Sequence, residues 1–230
     1  MDREELIKKY DVDVEKLEQE QLELAKKLEI KDKIDFSLAD TFGAVDITFI
    51  QNKILVSIVV CKGLLENEDG KKECEVLDRA YFLDKVRFPY LAGFRAYREL
   101  PAMVEAFDKL SEKPDVIFVS AQGITHPRLG LASHFSLSVD VPVIGVANSI
   151  IDSEIKDEDI LINGKKVGKV FTSKQESRPM YISPGNQISV DSAFKLCKDF
   201  INLPHKLPEP MHLAGKYGRE VKKELKIETQ

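Results

Sequence analysis

Tryptophan is absent from the 230 residues, cysteine occurs three times, and no apolar run approaches the roughly 20 residues that a bilayer-spanning helix requires. Cys61, Cys74 and Cys197 are odd in number and fall in no CxxC or Cys/His ligand spacing, which argues against both a disulfide framework and a zinc site. They read as buried or half-buried thiols. A basic surplus is missing too. With a net charge of -5, any surface for phosphates must be a local patch within an acidic protein. Lys85, Arg87, Arg95 and Arg98 are one candidate patch, and Lys165, Lys166, Lys169 and Lys174 another; the alternative for each is a solvated rim. The charged start, MDREELIKKY, has no apolar signal core and reads as cytoplasmic. No repeat, low-complexity tract or linker divides the chain, so residues 1–230 are expected to form one domain.

What is present is an ordinary balance of 43% apolar and 32% charged residues, enough for a self-sufficient core. Residues 12–28 space Val14, Leu17, Leu22, Leu24 and Leu28 as an outer amphipathic helix with Asp13 as N-cap. Strand-like runs at 44–50, 53–62 and 74–83, joined by Gln51-Asn52 and a polar turn from Glu66 to Lys71, predict an antiparallel meander. Helices at 97–111 and 130–139 then alternate with short apolar strands at 115–120 and 142–147, the pattern of right-handed parallel crossovers. A hairpin at Asn163-Gly164, a strand at 180–183, a helix at 191–202 capped by Ser189 or Asp191, and a helix at 214–227 after LPEP complete the chain. The result is an α/β fold, a mixed sheet flanked by helices, most similar to the ribonuclease H-like layout.

Several residues could carry chemistry. Asp46 lies in the first strand and shares a face with Ala44, Thr48 and Ile50; it must meet solvent at a cleft, pair with a base or bind a cation. Glu99 falls on the first turn of the helix read from Tyr97, where Pro101 also fits and where a carboxylate has an ordinary structural use. Ser120 ends a strand of the crossover, where ligands gather in open α/β sheets, whereas Asp115 at the opposite end suits a turn or cap. The segment 87–99, RFPYLAGFRAYRE, mixes aromatics with cations and could stack bases, or be plain loop packing. His126 and His134 are too far apart to pair on one helix, and each reads by default as a core or loop histidine.

Three runs go beyond such local readings: FPYLAGFRAYRELPAM at 88–103, PDVIFVSAQGITHPRLGLASHF at 114–135 and VDVPVIGVANS at 139–149. With ISVDSA at 188–193 and LPEP at 207–210, they resemble the endonuclease V family across roughly residues 10–220. The resemblance implies a ribonuclease H-like fold and Mg²⁺-dependent hydrolysis of the second phosphodiester bond 3′ to deoxyinosine. It also implies a pocket for the flipped base and, as partner, single- or double-stranded DNA or RNA containing deaminated adenine. By the same likeness Asp46 and Glu99 are the metal ligands, Pro89, Tyr90, Leu91 and Gly93 form the wedge that probes the strand, and Gly123 and His126 belong to the base site.

The departures from the family fall in the chemistry. Where the family reads VDGHG, residues 119–123 read VSAQG, so Ser120 replaces the second metal-binding aspartate, and Ala121 and Gln122 replace the next pair. Asn148 stands for the lysine of GVAK, and Gly215 aligns with a C-terminal acidic or imidazole residue. A hydroxyl cannot supply the charge that a hard cation needs. The sequence therefore predicts weak or absent Mg²⁺ binding and an inosine-recognising protein whose cleavage is weak or lost, a pseudoenzyme of DNA repair. The alternatives are an active enzyme using Mg²⁺ or Mn²⁺ and a protein-interaction module on the same scaffold. A monomer is the expected state.

Overall fold

A computed structural model describes residues 2–66 and 72–226. After two helices, α1 (Arg3–Lys9) and α2 (Val14–Ala25), come β1 (Thr41–Ile50), β2 (Lys53–Lys62), a small arm of β3 (Leu65–Glu66) and β4 (Lys72–Glu73), and β5 (Val76–Lys85). Then follow α3 (Arg95–Asp108), β6 (Val116–Val119), α4 (Leu131–Val139), β7 (Val143–Ala147), β8 (Glu154–Lys156), β9 (Asp159–Ile162), β10 (Lys165–Phe171), β11 (Met180–Asn186), α5 (Val190–Asp199) and α6 (Glu209–Glu224). Nine strands make one mixed sheet in the order β5-β2-β1-β6-β7-β11-β10-β9-β8. The predicted meander is β1-β2-β5, and β1, β6 and β7 run parallel.

Strand periodicity sorts the core onto two faces. Val45, Val56, Ile58, Ile117 and Val119 pack with Met103 and Phe107 of α3 and Phe135 of α4. The alternate residues, Phe42, Ala44, Val59, Val116 and Phe118, meet Leu196 of α5 and Met211 and Ala214 of α6. All three cysteines are free; Cys61 and Cys197 are buried. Among the described residues no helix is long and apolar enough to cross a membrane.

Several boundaries differ from the sequence reading. The third strand begins at Val76 rather than 74, because Leu65 first pairs with Glu73 in the small arm; most of the expected polar turn lies outside the described residues. Helix α3 starts at Arg95, which puts Glu99 one turn in and Pro101 inside the helix, not in its first turn. Helix α6 starts at Glu209, five residues early, since Pro210 in its first turn forfeits no hydrogen bond. The Asn163-Gly164 turn has positive φ at both residues, as a two-residue primed hairpin requires.

Gly123 follows β6 in a space that excludes any side chain: a Cβ there would lie 2.0 Å from the carbonyl oxygen of Pro184 in β11. Its N–H donates to Ser183 Oγ at 3.0 Å. Gly123→Ala is expected to lower stability by about 3 kcal/mol, at the upper end of overpacking costs, as measured by urea unfolding. A loss under about 0.5 kcal/mol would mean that the loop relaxes freely.

Candidate nucleic-acid interface

A cleft of about 420 Å³ opens beyond the ends of β6 and β7 and is walled on its other side by the loop leading into α3. Tyr90, Leu91, Gly93, Arg95, Ser120, Ala121, His126 and Asn148, all singled out from sequence, line it. Gln122 lines it as well and is held by its Nε2, which donates to Ser149 O at 2.9 Å. Strand ends at a parallel crossover are where such crevices form, because the chain leaves the sheet there in different directions.

The loop itself is fixed from behind. Pro89 and Leu91 are buried to either side of Tyr90, which is 65% exposed. Gly93, at φ 84°, turns the chain into α3. Its carbonyl accepts Gln21 Nε2 of α2 at 3.0 Å, while Gln21 Oε1 takes Arg128 Nε at 2.7 Å and Arg128 pairs with Glu18 at 3.1 Å. The Arg128 guanidinium also lies over the Phe94 ring, 5.0 Å from its centroid. Arg98 stacks on Phe49 at 4.3 Å and approaches Tyr90 at 5.8 Å.

Glu99 does not line the cleft. Its side chain is 3% exposed, and both carboxylate oxygens accept from Arg95 Nε, at 2.7 and 2.8 Å. The same guanidinium donates from Nη1 to the carbonyl of Ser120 at 3.0 Å. A permanent cation is thereby fixed between Glu99 and the end of β6, on the cleft's own wall. Sequence reading had Arg95 only as part of a basic patch; its i,i+4 spacing to Glu99 is the signal that could have found the pair.

Asp46 also lies outside the cleft lining, on the α6 side of the sheet. It is half-buried and accepts from Thr48 Oγ1 at 3.4 Å. Burial raises its pKa, opposed by that hydrogen bond and by the field of Arg219. A Cβ on Gly215 would come within 3.8 Å of Asp46 Oδ1 and 3.5 Å of Arg219 Nη1, so position 215 faces Asp46 without offering it a ligand. Neighbouring Ser57 is committed elsewhere, donating to Ala214 O at 3.0 Å. Among the described residues, no set of three carboxylate, imidazole or thiol ligands assembles around Asp46 or Glu99.

The remaining candidates divide plainly. Asp115 accepts from the backbone of Asp40 and Thr41 and from the Thr41 hydroxyl, each at 3.0 Å, and so is a cap. His134 is buried edge-on against Tyr97, a core histidine. Of the basic patches, Arg87 pairs with Asp84, Lys166 with Asp191 and Lys169 with Asp159, so two of the four lysines of the second patch are compensated.

Residues 22–216 match the family model described as Endonuclease V. An endonuclease V of Thermosipho melanesiensis is 34% identical over 197 residues, 82% of this chain and 83% of that protein. The Bacillus subtilis endonuclease V structure superposes with a TM-score of 0.80 at 25% identity, covering 94% of this chain and 95% of that one. An endonuclease V from Ciona intestinalis, solved with a 24mer DNA containing an inosine followed by a ribo-adenosine, superposes at 0.77 with 21% identity over 94% and 99% of the two chains. The shared fold is the mixed sheet flanked by helices described above.

His126 faces the cleft as a neutral ring: its pKa is pushed down to about 4, chiefly by burial and then by Arg128, whose N–H donates to His126 Nδ1 at 3.2 Å. The unfolded chain takes up this proton near its ordinary value, so the stability tied to the neutral ring is complete above about pH 6.5 and is lost as pH falls toward 4. Between pH 7 and 4.5, wild type should lose about 2–3 kcal/mol more than His126→Gln in urea unfolding. Parallel losses in the two proteins would show that His126 is free to protonate in the fold.

Proposed function

This chain belongs to the endonuclease V family, and on that premise we propose that it recognises inosine-containing nucleic acid while cutting it weakly or not at all. The observation that carries this reading is the Arg95 guanidinium, bonded to both oxygens of Glu99 and to the carbonyl of Ser120. Hydrolysis of the family's kind needs a divalent ion held by oxygen ligands against the scissile phosphate. Here the residues do not fit such an ion. Glu99 has both oxygens occupied by a cation, Ser120 offers a neutral hydroxyl, and Gly215 offers nothing beside Asp46. A second positive charge next to Arg95 would also be repelled at short range.

The recognition parts are in better order. Tyr90, exposed between buried Pro89 and Leu91, can stack on or wedge between bases, and Gln21 and Arg128 hold its loop from behind. A cleft of about 420 Å³ is ample for one flipped base. The neutral His126 ring and the fixed Gln122 amide give it polar contacts without a net charge. The Ciona intestinalis complex with inosine-containing DNA supports the choice of ligand. The proposed partner is DNA or RNA carrying deaminated adenine.

Oligonucleotides with one inosine and matched adenosine controls separate the possibilities. Wild type should bind the inosine strand better, weaken as salt rises, and show no nicking with Mg²⁺ or Mn²⁺. Tyr90→Ala should cost about tenfold in affinity. Ser120→Asp alone should restore little cutting, since the new carboxylate meets Arg95; paired with Arg95→Leu it should gain Mg²⁺-dependent nicking beyond the sum of the single changes. Rapid nicking by wild type would restore the active-enzyme reading, and equal affinity for both strands would favour the interaction scaffold.

A further inference from the structure

Far from the cleft in sequence, the link between α5 and α6 gathers three side chains with no part in the reading above. His205, Glu209 and His212 present ligand atoms that all lie within 4.8 Å of one another. His205 Nδ1 is 2.8 Å from Glu209 Oε2, and the two imidazoles stack with centroids 3.5 Å apart at 14°. Glu209 and His212 share a face of the first turn of α6 by their i,i+3 spacing, and His205 approaches from the loop.

The loop is held by hydrogen bonds of its own. Glu209 N donates to Phe200 O at 2.8 Å, Ile201 bridges Pro208, His205 N donates to Asn202 O at 3.0 Å, and Ser173 Oγ ties down Lys206 O at 2.7 Å. Glu209 is 7% exposed, so its charge needs a nearby positive partner, and among the described residues the structure pairs it only with an imidazole. No hydrogen bond among the described residues engages the His212 ring.

We propose that His205, Glu209 and His212 form a three-ligand site for a divalent transition-metal ion of the zinc type, with the fourth position left to water. Two imidazoles and one carboxylate suit such an ion and not Mg²⁺, which takes oxygen ligands. Tetrahedral bonds of about 2.0–2.2 Å set ligand atoms about 3.3 Å apart. The cluster therefore has to close by about 1.5 Å at its widest, a change that rotation of the half-buried His205 ring supplies. The ion would clamp the loop to α6 three residues before Gly215, independently of whether the chain cuts nucleic acid.

The test uses the full chain stripped by a chelator, titrated with Zn²⁺ in a calorimeter beside His205→Ala and His212→Gln. Wild type should take up one equivalent, each variant should bind at least about tenfold more weakly, and millimolar Mg²⁺ should not compete. Zn²⁺ should also raise the Tm of wild type and not of the variants. Co²⁺ should give wild type a visible absorption band of tetrahedral type that His212→Gln lacks. If His212→Gln fails to fold, the half-buried loop position of His205→Ala decides the matter. No uptake of Zn²⁺ by wild type, or one equivalent bound with equal affinity by wild type and His205→Ala, would overturn the site.

Discussion

A carboxylate buried against a helix and a strand end must be neutralised, and in this chain a side chain one helical turn away does it. Arg95 binds both oxygens of Glu99 and reaches the carbonyl of Ser120, so one guanidinium fixes the start of α3 against the end of β6. A pairing with two parallel N–H bonds would be stronger, but two short bonds from Nε to a 3% exposed carboxylate still leave Glu99 no freedom to turn. The loop that carries Tyr90 runs directly into that helix.

The sheet supplies the rest of the arrangement. Because β1, β6 and β7 are parallel neighbours, Asp46, Ser120 and Asn148 all come near the same end of the sheet. Alternation then separates them. Asp46 looks toward α6, and Glu99 comes from α3 on the opposite face. Asp46 and Glu99 thus approach the end of β6 from opposite faces, and Ser120 between them adds no third carboxylate.

Much of this was legible from residue pattern alone. Short runs of Val and Ile at 116–119 and 143–147 have no other use than strands covered on both sides, and the Asn163-Gly164 pair specifies its own turn. Helix α1 was not legible: it buries nothing, so it leaves no apolar period, and only the Asp2–Glu5 capping box marks it. The short strand β8 is exposed at all three residues and equally silent. At the site, Pro89, Tyr90, Leu91 and Gly93 are singled out by the family resemblance, and the structure places Tyr90, Leu91 and Gly93 on the cleft wall. Arg95 is harder to place: its i,i+4 spacing to Glu99 suggests a pair, but an arginine near aromatics reads equally as a phosphate contact, and the depth of Glu99 decides between them.

Gln21 bonds both Gly93 and Arg128, so the loop that presents Tyr90 is held by a side chain of α2 and not by the sheet alone. Helix α2 is therefore a brace, and it ties the position of that loop to a segment 72 residues earlier in sequence.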